Sequence, residues 1–176
     1  FYNNPNRQKG TGLQVNISCS SFIPKPFTPF QWEPEDTMES LKAKQKHLLE
    51  SIPSKKIKVS YHETPTSLLE GVLARGDRRL SAVIYSAFKD GCKFDSWDEH
   101  FKFASWMKAF EENNLDPYFY TQRKRDFSEV LPWDHLDYGI SRKFLEKENL
   151  KAHENKTTPH CRIKCAGCGA NRLNGG

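Results

Sequence analysis

The residues best suited to chemistry in this sequence are three cysteines near its C-terminal end. Cys161, Cys165 and Cys168 follow a C-x3-C-x2-C spacing in a stretch without aromatic side chains. Three thiols so close together have little role in packing, but they are soft ligands suited to a metal ion or an iron–sulfur cluster. The sequence therefore predicts an iron–sulfur cluster on these three cysteines, with zinc as the alternative.

The fourth ligand of such a site is not defined by the spacing. His160 directly precedes Cys161, and adjacent residues seldom both reach one ion. His153 is the second candidate. A site with only the three cysteines would leave one iron open to water, a small molecule or a partner.

Composition indicates a folded protein in a reducing compartment. The chain has 176 residues, of which 36% are hydrophobic and 12% aromatic, and disordered segments are poor in aromatics. Five cysteines, three of them clustered, do not suggest a disulfide framework, so Cys19 and Cys92 are predicted to be small buried side chains. We expect a cytoplasmic protein.

No run approaches the ~20 apolar residues of a membrane span. The net charge of +5 comes from interspersed charges, which by themselves do not predict nucleic-acid binding.

The first third of the chain has the pattern of a β-α-β unit. Leu13–Ser18 and Lys56–Tyr61 alternate apolar and polar residues, as half-buried strands do. Between them, Phe22–Trp32 contains three prolines and is predicted to be a stiff extended loop. A helix capped at Asp36 or Thr37 then follows. Strands joined through a helix are expected to pair in parallel.

From Thr64 to Leu150 the apolar period changes from two to 3.6, which predicts a helical region. Gly76 is expected to separate its first two helices, and Asp98 to cap a third. The last helix is predicted from Ser141. The fold class is therefore α/β to mainly α, with one or two parallel strands, a helical extension and a cysteine-bearing tail.

Four phrases of the sequence together resemble one protein family. The phrases are Ser20–Glu33, Leu69–Leu80, Trp97–Phe101 and Leu131–His135. They resemble radical S-adenosylmethionine proteins of a poorly characterised group that has an N-terminal cobalamin-binding-type domain. The resemblance covers almost the whole chain, and it implies that Ser20–Glu33 is the last strand and exit loop of a (β/α) barrel.

The resemblance also implies what this sequence lacks. Family members hold their catalytic 4Fe–4S cluster with an early C-x3-C-x2-C motif and bind S-adenosylmethionine through a Gly-rich segment, and neither is present here. Cys161, Cys165 and Cys168 instead resemble a C-terminal cysteine cluster of the family. The expected partners are thus the remainder of the radical enzyme and a further C-terminal domain, and the chain is not expected to be active alone.

Three regions follow from this interpretation. Residues 1–62 are expected to be the terminal β-α-β part of the barrel, residues 63–150 a helical extension, and residues 151–176 a metal- or cluster-binding tail. On the barrel-end loop, Lys25 and Gln31 could contact S-adenosylmethionine or substrate in the full protein, or be solvated side chains.

Other interpretations of the charged residues stay open at this stage. Arg75, Arg78 and Arg79 around Asp77 could bind an anion or form local ion pairs at helix ends. For the whole chain, the alternative to a radical-enzyme part is a zinc-knuckle-like module that binds RNA or protein. A structural helical adaptor is a third hypothesis.

Overall fold

The computed structural model describes residues 5–6 and 14–171, within which the chain forms six helices and two strands. In chain order these are β1 (Val15–Cys19), α1 (Met38–Glu50), β2 (Ile57–Tyr61), α2 (Thr64–Arg75), α3 (Leu80–Lys89), α4 (Phe103–Glu112), α5 (Pro117–Thr121) and α6 (Arg142–His153). The predicted fold class is confirmed: the chain is mainly helical, with a short parallel sheet and cysteines near the C-terminus.

The two strands form one parallel sheet connected through α1. Val15 lies opposite Ile57, and Cys19 lies opposite Tyr61. The predicted strand Leu13–Ser18 corresponds to β1 with shifted ends, because β1 continues to Cys19, while Leu13 is outside the described residues. Alternation of apolar and polar residues therefore identified both strands.

This sheet is poorly covered by the rest of the described chain. Every residue of β1 and β2 is exposed or half-buried, and none belongs to either of the two apolar clusters. Parallel sheets are normally covered on both faces, because their crossover helices pack there. The exposure of β1 and β2 is therefore unusual for a parallel pair.

Local capping explains the position of α1. The Thr37 hydroxyl accepts a hydrogen bond from the Ser40 N–H at 3.1 Å, which satisfies one of the donors left free in the first turn. The helix ends at Glu50, shortly before Pro53. The sequence predicted both ends correctly.

Helices α2 to α5 enclose the main apolar cluster. Its buried members include Leu68, Val72, Val83, Trp106 and Phe110. Burial of each such side chain contributes about 1.5–3 kcal/mol relative to exposure, so this cluster dominates the stability of the helical region. The isolated cysteine Cys92 packs in the same cluster as predicted, whereas Cys19 in β1 is only half-buried.

One predicted helix start was wrong. Asp98 was expected to cap the third helix of this region, but α4 begins at Phe103, and Lys102 occupies the capping position. Asp98 instead lies in a turn in which the His100 N–H donates to the Trp97 carbonyl at 2.9 Å. Phe101 and Phe103 both pack on the main apolar cluster, but Lys102 between them has φ −109° and ψ 75°, which is not helical, so the helix starts only at Phe103.

A second apolar cluster joins distant parts of the chain. Trp32 from the proline-rich loop packs with Leu131 and Trp133 of a turn and with Leu145 of α6. Helix α6 continues to His153 rather than ending near Leu150, so the predicted division between residues 63–150 and 151–176 lies inside this helix.

Candidate functional site

The cysteine tail is folded back against the start of α6. The Ser141 N–H donates to the Cys168 carbonyl at 2.8 Å, and the Ile163 N–H donates to the His160 carbonyl at 2.9 Å. Gly169 has φ +97°, and a Cβ there would lie 2.9 Å from the Gly139 carbonyl oxygen. Glycine therefore permits the close approach of the tail to the turn that precedes α6.

The three predicted metal ligands do not form a ready-made site. Cys161 and Cys165 are exposed and Cys168 is half-buried. Within residues 14–171, no group of three or more His, Cys, Asp or Glu side chains is arranged to hold a metal ion. Three thiols still suit a soft metal or a cluster in chemical terms. Binding one would require the turn between Cys161 and Cys168 to close around it.

The surroundings of Cys165 are cationic. It lies in a groove of about 190 Å³ that Lys147, Lys151 and Lys164 also line. Lys151 is held by hydrogen bonds to Glu148 and Thr158. Positive charge at this position would offset the negative charge of a thiolate-bound cluster.

The two histidines considered as a fourth ligand have different surroundings. His153 Nε2 lies 2.8 Å from Glu33 Oε1, so this ring is engaged on the proline-rich loop. His160 is exposed at the start of the tail turn. His153 would have to leave Glu33 to bind a metal held by the cysteines.

Lys25 and Gln31, the residues predicted to contact a cofactor, are both engaged within the chain. Lys25 Nζ forms an ion pair with Glu70 Oε1 at 2.6 Å on the surface of α2. Gln31 is buried, and its side-chain oxygen accepts from the Phe27 N–H at 3.0 Å and from Trp133 Nε1–H at 2.7 Å. Gln31 therefore links the proline-rich loop to the turn that contains Trp133.

Gln31 and Trp133 also line a surface cleft. The cleft has a volume of about 380 Å³, and Asp134, His135 and Arg142 contribute polar groups to it. Arg142 Nη2 donates to the Phe127 carbonyl at 2.6 Å, and Arg142 also forms ion pairs with Asp134 and Glu146. These contacts attach α6 to the preceding loop and leave Arg142 with little freedom to bind a ligand.

Two arginines are buried beneath the proline-rich loop. Arg75 donates to the carbonyls of Thr121 at 3.3 Å and Gln31 at 3.4 Å. Arg125 donates to the carbonyls of Arg75 at 3.3 Å and Tyr120 at 3.1 Å. Burial lowers the pKa of each guanidinium to about 10, and both remain charged near neutral pH.

A carboxyl group lies beside this pair. Glu35 is buried, and its Oε2 has no hydrogen-bond partner among residues 14–171. Burial raises the pKa of Glu35 to about 7, and the charge of Arg75 offsets only part of this effect. The absence of a side chain at Gly71 makes room for it, since a Cβ there would lie 2.0 Å from Glu35 Oε2.

The three arginines considered as one anion site are separated by the fold. Arg75 is fully buried, whereas Arg78 and Arg79 are exposed. Arg79 pairs with Asp77, with Nη2 and Oδ2 2.7 Å apart. The local ion-pair interpretation therefore holds for Arg79.

Sequence reasoning missed Glu35, Tyr120 and Arg125. Arg125 lies in the run Arg123-Lys124-Arg125, which has the composition of a solvated surface segment. Its burial comes from contacts with α2 and α5 that no local pattern encodes. Trp133, by contrast, belongs to Leu131–His135, one of the four phrases on which the family resemblance depends.

Comparison with known proteins gives a partial similarity. Over 71 residues the chain is 37% identical to an uncharacterized protein of Methanocaldococcus jannaschii, and the match covers 40% of this chain and 16% of that protein. The chain thus spans only a small part of that relative, and the similarity assigns no family. No known protein-family profile and no solved structure matches the chain. Among the described helices, none is long and apolar enough to cross a membrane.

Proposed function

We propose that this chain is the C-terminal part of a radical S-adenosylmethionine protein. In this proposal, β1-α1-β2 completes a parallel barrel, and the tail carries an accessory iron–sulfur cluster or metal ion on Cys161, Cys165 and Cys168. The observation that carries the proposal is the exposed parallel sheet, because it favours docking against further strands and helices.

The physical argument concerns the isolation of the two strands. An isolated two-stranded sheet is marginally stable in water, and parallel pairs are normally found in larger covered sheets. Val15 in β1 is 37% exposed and Phe22 just after it is 58% exposed. Additional strands from the same polypeptide would satisfy the free edges and cover these apolar side chains.

The tail supports the second half of the proposal through its donor chemistry. A bound iron–sulfur cluster would supply one-electron redox chemistry, whereas zinc would supply a structural cross-link. Within the chain, the hydrogen bond between Ser141 and Cys168 anchors the last cysteine to α6. The lysines beside Cys165 offset negative charge at the site.

A contact of Lys25 or Gln31 with S-adenosylmethionine stays a prediction for the full polypeptide. Lys25 would have to exchange its ion pair with Glu70 for the cofactor. Gln31 already accepts two hydrogen bonds through its side-chain oxygen, so a contact with the cofactor would have to be made by its side-chain amide N–H groups. The chain alone is not expected to cleave S-adenosylmethionine.

The metal site is tested by anaerobic iron, sulfide and zinc analysis of the wild-type chain and of Cys165→Ala. Cys19→Ala is the matched control, because Cys19 lies in β1, outside the tail. We expect visible absorption and bound iron in the wild type and the control, and loss of both in Cys165→Ala.

Equal metal content in all three proteins would exclude the tail cysteines as ligands. Zinc alone in the wild type, lost in Cys165→Ala, would favour the zinc-knuckle-like module that binds RNA or protein. Formation of 5′-deoxyadenosine by the isolated chain would contradict the accessory role of the tail.

The barrel assignment has a separate test in the full-length protein. Amide hydrogen exchange of β1 and β2 is expected to be fast in the isolated chain and strongly protected when the upstream polypeptide is present. Unchanged exchange in the two strands would contradict their inclusion in a larger sheet.

A further inference from the structure

A small cleft lined by arginines lies beside α5 and shares Tyr120 with the main apolar cluster. Its volume is about 210 Å³, and its lining includes Arg79, Tyr120, Arg123 and Arg125, with Phe119 beside them. We call it the arginine cleft. These residues come from the segment before α3, from α5 and from the loop that follows α5.

Buried donors without partners are concentrated in this cleft. The Arg125 side chain is 2% exposed, yet its Nε and Nη1 have no hydrogen-bond partner within residues 14–171. Arg123 Nε also has no partner there, and the Tyr120 hydroxyl makes no hydrogen bond of normal geometry, although it lies near the side chains of Arg79 and Asp77. Buried polar groups are nearly always paired, and each unpaired one costs about 1–3 kcal/mol. Donors of this kind at one site suit an anionic ligand.

The charges of the cleft leave one cation without a hydrogen-bonded carboxylate. Arg79 pairs with Asp77, and Arg123 Nη1 donates to Glu129 Oε2 at 2.7 Å. Arg125 Nε is 3.9 Å from Glu129 Oε1, which is too long for a hydrogen bond. Three arginines and two carboxylates give the lining a net positive charge.

We propose that the arginine cleft binds the phosphate group of a small phosphate monoester. Guanidinium groups match phosphate oxygens in geometry, and a phosphate offers more acceptor atoms to these donors than a carboxylate does. The cleft is smaller than the roughly 300–1,000 Å³ of pockets that hold drug-sized ligands, so it suits the phosphate group itself.

The rim supplies a surface for the rest of such a ligand. Phe119 is 44% exposed, and the Arg123 guanidinium carbon lies 4.4 Å from the centre of its ring. An organic group attached to the phosphate could contact this ring. The proposal is independent of the function proposed above, because none of these residues belongs to the cysteine tail or to the sheet.

The test is a calorimetric titration of the 176-residue chain with inorganic phosphate at constant ionic strength. Tyr120→Phe is the most informative variant, because it removes a buried hydroxyl that makes no hydrogen bond of normal geometry and keeps the aromatic ring in the core. We expect saturable binding with one phosphate per chain, weakened about 3- to 10-fold in Tyr120→Phe, while the free energy of unfolding is unchanged or increased.

A second variant is needed that weakens binding without the risk of misfolding the protein. Arg125 supports the backbone through two carbonyls, so its replacement could unfold the loop. Arg79→Gln removes a charge at the exposed side of the cleft and is expected to weaken phosphate binding severalfold. Lys124→Gln is the control, because Lys124 is exposed and lies outside the cleft. Its affinity should stay within twofold of the wild type.

Four results would overturn the proposal. The first is the absence of saturable phosphate binding. The second is an equal loss in Lys124→Gln and Arg79→Gln, which would show general charge attraction. Unchanged affinity in Tyr120→Phe would place phosphate elsewhere. Acetate binding as tightly as phosphate would assign the cleft to carboxylates instead.

Discussion

Glu35 makes the stability of this protein depend on pH in a range where ordinary carboxylates do not titrate. The side chain is 5% exposed, lies against Gly71 and is close enough to the buried Arg75 to interact with its charge. Burial raises its pKa from 4.5 to about 7, and Arg75 lowers it only in part. The folded chain therefore takes up a proton on Glu35 at a pH where the unfolded chain does not.

The sign of the effect follows from linkage between proton binding and folding. A group whose pKa is higher in the folded state stabilises that state when it is protonated. Stability should therefore rise as the pH falls from about 8 through 7, and the gain from Glu35 should be complete near pH 4.5. The shift from 4.5 to about 7 corresponds to at most about 3–4 kcal/mol, and relaxation of the buried site around the charge reduces this to about 1–2 kcal/mol.

The assay is urea unfolding of the wild type and Glu35→Gln between pH 5 and pH 8.5. Gln has the shape of protonated Glu and does not titrate, so the variant should be about 1–2 kcal/mol more stable than the wild type at pH 8.5 and nearly equal to it at pH 5. The difference between the two proteins cancels the contribution of other titrating groups.

Glu33→Gln is the matched control, two positions away. Burial alone would raise the pKa of Glu33, but hydrogen bonds from His153 and Asn149, together with the charge of Lys124, lower it overall. Glu33 should therefore contribute stability above pH 4.5 and lose it as the pH falls further. A constant difference between wild type and Glu35→Gln from pH 5 to pH 8.5 would refute the assignment of a raised pKa to Glu35.

Three further substitutions test packing and local structure by urea or thermal unfolding. Gly71→Ala should destabilise the protein by about 1–3 kcal/mol, because the new Cβ would meet Glu35 Oε2; the stabilisation usual for Gly→Ala in a helix would contradict the close approach. Gln31→Ala should cost about 2–4 kcal/mol, since it leaves two donors unpaired, Trp133 Nε1–H among them, and a loss below 0.5 kcal/mol would show that these donors find other acceptors. Thr37→Ala should cost about 1 kcal/mol through loss of the helix cap, and restoration by Thr37→Ser would confirm the cause.

Local signals were sufficient for the strands and for most helix ends. The alternation in Lys56–Tyr61, the cap at Thr37 and the break at Gly76 each act within a few residues, so the sequence exposes them directly. The start of α4 could not be predicted, because Asp98 is a good capping residue and both Phe101 and Phe103 after it pack on the core. The non-helical backbone of Lys102 sets that boundary.

The site residues also fall into two groups, those that local sequence signals reveal and those whose positions depend on tertiary contacts. Cys161, Cys165 and Cys168 are recognisable by spacing, although their function as ligands stays a prediction. The buried positions of Arg75 and Arg125 arise from hydrogen bonds to carbonyls that are distant in sequence, one of them 50 residues away. Hydrophobic periodicity does not reveal a contact between residues so far apart in sequence, and a charged residue in a basic run is predicted to be exposed.

The link between the proline-rich loop and α6 has a consequence for the order of events during synthesis. Trp133 reaches Gln31 across 102 residues, and Asn149 donates to the Pro29 carbonyl across 120 residues. At about 5–20 residues per second, the ribosome needs roughly 6–24 s to add those 120 residues. Until α6 has been synthesised, it cannot cover Trp32, and the nascent chain exposes an aromatic loop to which chaperones can bind. Helices α2 to α5 are synthesised earlier and can fold during this interval.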